Sequence, residues 1–515
     1  MRMTLNRTGR LLALIALTVC GTPLFVSAQS APPPQVRRLT VNEAVQAALE
    51  NNLGVQVARI DPLIQDLSVA QARGAWAPTF STTLQTTSTD TPANSFLSGG
   101  ATTKDDRFDT SLGLDQILPW GGSYSLGWDS QRSTTTNLFS NFSPQLRSSL
   151  AFSYRQPLLR GFSIDNSRQQ LLVSRKNREI ADETLRQSIA ITTRSVRTAY
   201  WDLAYAIASL AVQRQSLDLA NRSLRETRAR IEIGTTPPID AIEAEAEVAL
   251  REESVILAEA QIQTSEDTLR ALVYDPSMAD FWTMRLEPAE LPPFQPIVVD
   301  VDAAVRNALD RRTDLQQARK NLESTDVNVR FFRNQTLPDV TAGLDYGLQG
   351  LGGTQFVRGQ GFPGPIIGQN QRPFGSVLQD LFANDFPNWT ASVNVSYPLG
   401  ATGNEASLAG ARLRYSQSQT QLRNMQLQVT TQVREAGRQV QTNQRRVETT
   451  RTSRQLAERR LDAEERKFTA GTSTSFFVFQ AQRDLSQARN NELRAVLDYN
   501  RSIVDFDTVQ EAPLR

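Results

Sequence analysis

Hydrophobic periodicity divides this chain into segments of two kinds. From Asp165 to Gly234 there is no proline and no internal glycine, and Ile189, Val196, Leu203, Leu210, Leu217, Leu224 and Ile231 recur every seven residues. That spacing is the stripe of a coiled coil. The positions three residues further on, Thr192, Ala199, Ala206, Gln213, Ala220 and Thr227, are mostly small, so a neighbouring helix can approach closely. At about 1.5 Å per residue the predicted helix is on the order of 100 Å long. Val433, Val440, Val447, Arg454, Leu461 and Phe468 repeat the seven-residue spacing downstream. Each stripe runs into a Gly-Thr pair. Gly234-Thr235 opens "GTTPPIDAIEAEAEV", Gly471-Thr472 opens "GTSTSFFVFQAQRDL", and a helical pattern resumes after each. The pattern predicts two very long helices, each reversing at its far end into a returning partner.

After Pro78 and Pro338 the period falls to two. Phe80, Thr82 and Leu84 alternate with Ser81, Thr83 and Gln85, while Val340, Ala342, Leu344, Tyr346 and Leu348 alternate with Thr341, Gly343, Asp345 and Gly347. The segments leading back to the long helices do the same, with Leu150, Phe152 and Tyr154 in one and Ala391, Val393, Val395 and Tyr397 in the other. One face is apolar and aromatic, the other small and polar, which a transmembrane β-barrel requires and a half-buried soluble sheet shares. A further hairpin is visible within 107–131, where Phe108, Thr110, Leu112 and Leu114 precede Pro119-Trp120-Gly121-Gly122, and Tyr124, Leu126 and Trp128 follow it. The alternation leaves open whether it enters a barrel. Segments 88–106, 132–145 and 350–387 are rich in Gly, Ser, Asn, Thr and Pro and read as exposed connections, the last long enough to fold over an opening.

The chain also repeats itself. "AVQAALENN" at 44–52 returns as "AVRNALDRR" at 304–312, and the offset 304 − 44 = 260 also pairs Gln56 with Gln316, Arg59 with Arg319, Asp66 with Asp326, Arg73 with Arg333 and Pro78 with Pro338. A self-match of about forty ungapped positions marks a duplicated unit. The turn glycines follow with an offset of 471 − 234 = 237. The domain reading is therefore a signal peptide at 1–28, a first repeat at 29–275, a linker at 276–297 carrying Pro276, Pro288, Pro292, Pro293 and Pro296, and a second repeat at 298–515. Arg2, Arg7 and Arg10, the apolar run Leu11 to Val19, and Val26-Ser27-Ala28 give the order of a secretory signal. Cys20, the only cysteine, follows Leu17-Thr18-Val19, which leaves a lipoprotein cleavage site as an alternative although Val19 is a poor residue before such a cysteine; cleavage after Ala28 leaves a cysteine-free mature chain.

Composition narrows the function classes. Of 515 residues 39% are hydrophobic, and the mean hydropathy of −0.37 is polar for a large compact globule, so an elongated molecule fits better. With 55 basic and 54 acidic residues there is no electrostatic case for a nucleic-acid partner, and the lack of histidine removes His-based triads and the usual zinc sites. "GQGFPG" at 359–364 has the letters of a dinucleotide fingerprint, but Pro363 and Pro365 and the absence of a following helical pattern deny it the N–H groups a phosphate needs. No constellation of acids, nucleophiles or metal ligands suggests an enzyme or a cofactor. The mature chain has no apolar run near 18 residues, so only a closed barrel could take it through a bilayer. Four predicted strands are too few to close one, so several protomers must share it.

The order helix, strand pair, long helix, glycine turn, returning helix, repeated once, resembles the TolC-like outer membrane efflux protein family over nearly the whole mature chain. The resemblance rests on "LTVNEAVQAALENN" and its echo "VDVDAAVRNALDRR", on Pro78 and Pro338, on "RQPLLRG" at 155–161 and on the two Gly-Thr turns. It implies a homotrimer in the outer membrane in which each subunit gives four strands to a twelve-stranded barrel and its helices to a long periplasmic α-helical tunnel. Duplication then lets three chains present six similar helical hairpins. It also implies that Gly234, Thr235, Gly471 and Thr472 form a periplasmic tip. That tip would dock on a membrane-fusion adaptor and, through it, on an inner-membrane pump, with this chain as the passive duct. Positions six and nine beyond each turn glycine are implied to face the lumen at a constriction; here they are Asp240 and Glu243 in the first half and Phe477 and Gln480 in the second. Pro237 and Pro238 open the returning helix, whose dipole alone would favour carboxylates in its first turn. The competing reading is a non-channel exported coiled-coil scaffold, which has no use for the paired alternating strands.

Overall fold

The computed structural model describes residues 36–92, 101–290, 294–361, 364–400 and 402–511, so the expected signal peptide and Cys20 lie outside the described residues. The first half runs β1 (Val36–Leu39), α1 (Val41–Asn51), α2 (Leu53–Gly74), β2 (Thr79–Pro92), β3 (Thr102–Ile117), β4 (Ser123–Thr135), β5 (Phe142–Pro157), α3 (Asn166–Glu232) and α4 (Ile239–Val273). The second runs β6 (Arg285–Pro288), α5 (Val301–Arg311), α6 (Thr313–Gln335), β7 (Asp339–Arg358), β8 (Ile366–Arg372), α7 (Phe374–Ala383), β9 (Pro387–Ser396), α8 (Gly403–Thr469) and α9 (Ser475–Val509). Local chemistry starts these helices where the sequence changes period. Thr40 and Thr402 form reciprocal capping boxes with Glu43 and Glu405, and the side chains of Asn52, Asp165 and Asp300 accept from first-turn amides.

The long helices change neighbours along their length. Near the strands, α2, α3, α6 and α8 lie side by side in that order; towards the far end, α3 and α8 pack instead on α4 and α9. The heptad stripe serves this packing. Val196, Leu203 and Leu210 are buried, as are Ala199, Ala206, Ala220 and Thr227 on the companion line. In α8 the stripe residues Val433, Val440 and Val447 are fully buried with Ala304 and Ala308 of α5, and each such valine contributes about 1.5–3 kcal/mol of apolar burial. The equivalent cluster in the first half joins Ala44 and Ala48 of α1 to Val196, Tyr200 and Leu203.

The segment read as a linker joins the halves but is packed rather than bare. β6 pairs in parallel with β1, and Phe281, Met284 and Leu286 enter the first cluster. Two tyrosines hold it. Tyr200 Oη donates to Leu39 O (2.9 Å) and accepts from Glu290 N, while Tyr499 Oη donates to Gln295 O (2.7 Å) and accepts from Ile297 N. Burial pushes both phenols above their ordinary pKa.

One sheet contains all the long strands, in the order β2-β3-β4-β5-β7, with β8 and β9 sharing the far edge of β7. The additional hairpin, β3 and β4, enters this sheet between β2 and β5 and adds to the four expected strands. The exposed connections expected at 88–106, 132–145 and 350–387 are shorter than their composition suggested. β2 continues to Pro92, β3 begins at Thr102, and β4 and β5 reach Thr135 and back to Phe142. The stretch 350–387 holds the end of β7, all of β8 and α7. Helix α7 packs against the sheet. A Cβ on Gly350 or Gly352 would collide with Val377 of α7, so α7 lies on the β7 face that carries Leu344, Tyr346 and Leu348.

Candidate functional site: the strand wall and the helical tip

Cross-strand partners share a face, so the register decides what the wall presents on each side. One row runs Phe80, Leu114, Leu126, Phe152, Tyr346, Trp389, and its neighbour runs Thr82, Leu112, Trp128, Leu150, Leu348. The alternate rows run Ser81, Gly113, Gly127, Ala151, Gly347, Asn388 and Thr79, Asp115, Ser125, Ser153, Asp345, Thr390. In these rows one face of the sheet is apolar but for Thr82 and the other is small, polar or charged; further from the helices the first face turns mixed, with Thr110, Ser130, Ser148 and Arg132. Phe80 is 66% exposed and Trp389 70%, and nothing among the described residues covers most of this face. Near the helix end of the apolar face, Trp120 Nε1 donates to Tyr154 Oη (3.3 Å) and Tyr124 Oη to Gln116 Oε1 (2.7 Å), an aromatic, hydrogen-bonding border of the kind found at a membrane interface. On the polar face Arg155 Nη2 and Ser153 Oγ both donate to Asp345 Oδ1 (2.8 and 2.7 Å).

At the opposite end of the molecule the two turns are copies of one another. Gly234 and Gly471 both sit at φ +76, a conformation glycine adopts without the Cβ penalty. Gly234 N donates to Ile231 O and Thr235 N to Arg230 O (3.0 and 2.9 Å); Gly471 N donates to Phe468 O and Thr472 N to Lys467 O (3.1 and 2.9 Å). These are Schellman caps. The two threonine hydroxyls donate to the same carbonyls, Arg230 O and Lys467 O, so each satisfies an end-of-helix acceptor twice. A Cβ on either glycine meets nothing within 4 Å, so both turns face open space. The Arg230 guanidinium lies 4.2 Å over the Phe468 ring and links one turn to the other.

The four candidate constriction residues are not equivalent. Asp240 Oδ2 accepts from Ser475 Oγ (2.8 Å), which ties α4 to the start of α9. Glu243 is exposed and has no hydrogen bond or ion pair among the described residues. Phe477 stacks edge-on with Phe476 at 5.6 Å and is half exposed, and Gln480 Nε2 donates to Asp484 Oδ1 (2.9 Å). Sequence reasoning missed a stronger link one turn beyond Glu243. Glu247, 3% exposed at its side chain, accepts from Arg251 (2.7 Å) on its own helix and from Arg483 (2.9 Å) on α9. The Glu247-Arg251 spacing is visible in the sequence; the partner 236 residues away is not. Glu464, on α8, accepts from Lys467 Nζ (2.7 Å) and Ser473 Oγ (3.0 Å), and these donors hold its carboxyl below the usual range.

An apolar-walled sheet at one end of hairpins on the order of 100 Å long, with duplicated turns at the other, matches known proteins over its whole length. The family described as outer membrane efflux protein matches residues 44–273 and 304–507, almost all of both repeats. The chain belongs to the outer membrane efflux protein family. It is 25% identical over 513 residues to the pyoverdine export outer membrane protein OpmQ of Pseudomonas putida, covering 96% of this chain and 95% of that protein. Its fold is similar to the CmeC outer membrane channel of Campylobacter jejuni (TM-score 0.65, 13% identity, 91% of this chain and 85% of that one). It is similar also to the outer membrane protein VceC of Vibrio cholerae (TM-score 0.63, 16% identity, 92% and 97%). The chain is therefore an outer-membrane transport protein, not an enzyme, built as a helical tunnel joined to a β-barrel. The scaffold reading falls with this match.

Proposed function

We propose that this efflux-family chain is the passive exit duct of a multi-component export system, acting as a homotrimer. The observation that carries the reading is the apolar band that crosses every long strand on one face of the sheet, on the end of two matched helical hairpins. A second feature supports the trimer. Leu53, Val57, Ile60, Ile64 and Leu67 make a seam of threes and fours along α2, and all are at least half exposed, with Leu67 at 70%. A soluble monomer does not leave such a coiled-coil stripe bare, whereas a neighbouring subunit's helix would bury it.

In this reading the Gly234-Thr235 and Gly471-Thr472 turns meet a periplasmic membrane-fusion adaptor, which connects the duct to an inner-membrane pump. The open space around both glycines leaves that face available. Asp240 and Glu243 from three subunits would line a narrow tip with Phe477 and Gln480 between them, and six carboxylates near one axis would favour cations. The test is made on protein extracted from outer membranes. Native mass should give a trimer, and single-channel recording should show a cation-selective pore whose conductance rises and selectivity falls in Asp240→Ala with Glu243→Ala. A monomer would overturn the assembly. Unchanged conductance and selectivity in a trimeric double variant would remove these carboxylates from the constriction.

A further inference from the structure

Among the described residues of this sheet β2, β8 and β9 each have a free edge; β8 is short, at 7 residues, whereas β2 and β9 are built to be paired. β2 bonds only to β3, and along its helix-side part β9 bonds only to β7. Native sheets protect a bare edge with lysine, inward-pointing charge, a bulge or a short strand. Neither strand has these. β2 spans 14 residues with one charge, Asp90, near its far end, and β9 spans 10 with none. Both are exposed along almost their whole length. The strand count adds a second constraint. Every adjacent pair from β2 through β5 and β7 to β9 is antiparallel, so the six positions alternate in direction, and β2 of another copy meets β9 in the antiparallel sense.

We infer that β9 of each subunit pairs with β2 of the next, and that the closed wall of three subunits has eighteen strands rather than twelve. This rests on the trimeric reading above. The register gives the slant. The row that starts at Thr79, first residue of β2, reaches Thr390, six residues short of Ser396, where β9 ends at the same helix side of the sheet. If Thr79 of one copy stands opposite Ser396 of the next, the wall shifts by six residues for every six strands. With a rise of about 3.4 Å and a spacing of about 4.8 Å, that shear tilts the strands by about 35°, within the range of natural barrels. The same register puts Phe80 opposite Val395, Thr82 opposite Val393 and Leu84 opposite Ala391, so the apolar face continues across the joint. A shift of one residue would set apolar against polar along the whole seam. At this tilt eighteen strands enclose a backbone diameter of about 34 Å, against about 23 Å for twelve. The hairpin β3–β4 therefore widens the exit, and the duct suits bulkier cargo than a twelve-stranded mouth would pass.

The test uses the full chain in outer membranes, with Cys20→Ser as background since Cys20 is the only cysteine. Thr83→Cys with Ser392→Cys should oxidise to a dimer and trimer ladder, and Thr83→Cys with Ser111→Cys should link within one chain. Thr83 and Ser149 lie on one row three strands apart, about 14 Å, too far for a disulfide. Thr83→Cys paired with Ser149→Cys or with Ser153→Cys should therefore stay unlinked. A link from Thr83→Cys to either β5 position would mean that β2 and β5 are neighbours and would overturn the eighteen-stranded wall. So would the absence of any ladder when Thr83→Cys is paired in turn with cysteines at 390, 392 and 394 in protein that is trimeric by native mass. A monomeric mass would instead sink the trimeric reading on which this rests.

Discussion

Between α2 and α3 the first half inserts four strands, and between α6 and α8 the second half inserts β7, the short β8, α7 and β9, yet α3 and α8 have 67 residues each and α4 and α9 have 35 each. The contrast shows which parts of the duplicated unit are tied to one another. Helices that stand side by side in a tube must turn at the same height. One extra residue lengthens a helix by about 1.5 Å and rotates everything beyond it by about 100°, out of the seam. A sheet has no such constraint, because strands added in pairs preserve both the alternation of direction and the sidedness of the wall.

The largest test of this contrast is in the strands. Leu84→Arg in the first half and Leu344→Arg in the second, 260 residues apart, each put a charge on the apolar face and should cost about 2–4 kcal/mol near the bilayer centre. Each is expected to deplete the assembled protein from the outer-membrane fraction, while Thr83→Arg on the polar face leaves the amount unchanged. Equal depletion by all three would remove the sidedness of the wall. Next come the tips, where the halves differ. Glu247 and its counterpart Asp484 are 237 residues apart, but Glu247 is buried between two arginines, whereas Asp484 pairs with Arg460 at the surface. Glu247→Ala should destabilise by about 1–3 kcal/mol, Arg483 being half exposed, and Asp484→Ala by at most about 1 kcal/mol. Thermal unfolding of the two variants checks the order.

Where the halves agree, equal effects are expected. Gly234→Ala and Gly471→Ala each force an L-residue to φ +76 with free space around it, so each should cost about 1 kcal/mol through the backbone alone. A much larger loss at one turn, read by thermal unfolding, would show that the two are not equivalent. The smallest effect is one of pH. Glu464 has a lowered pKa in the folded chain, so what it adds to the second turn is complete above the unfolded value of 4.5 and is lost as pH falls through the lower folded value. The first half has Thr227 at the matching position. Amide-exchange protection at Thr472 and Ser473 should therefore hold from neutral pH down to about pH 5 and fall below it. Thr235 and Thr236 should show no such step.

Most of the helical architecture was legible in the sequence, because uninterrupted sevens state both the length of a helix and the face it buries. The strands were legible only where lipid demands an apolar side. Beyond that band "TTSTDTP" ending β2 and "TTKDD" opening β3 are polar on both faces, so the alternation vanishes although the ladder continues. α7 was hidden because its 10 residues follow a proline in a glycine-rich stretch and offer too few turns for a period. A clearer signal lay in the repeat itself. The offset between halves falls from 260 before the strands to 237 after them, so the first half carries 23 more residues there, in the stretch that holds its extra hairpin. The tip turns were fully legible as Gly-Thr pairs. The Asp240 contact to Ser475 and the Glu247 contact to Arg483 were not, since both depend on how α4 meets α9.

The most direct measurement of the central claim, that this sheet is a membrane wall with a water-filled side, is cysteine labelling along β4 and β5 in intact cells with a membrane-impermeant maleimide. Single cysteines at 125, 127 and 129 and at 149, 151 and 153 should label. Those at 124, 126 and 128 and at 150, 152 and 154 should be protected, giving the same period of two in the inserted hairpin strand and in the strand next to it. Uniform labelling along β4 beside alternation along β5 would put the hairpin outside the wall, and uniform labelling of both strands would contradict a membrane-spanning barrel.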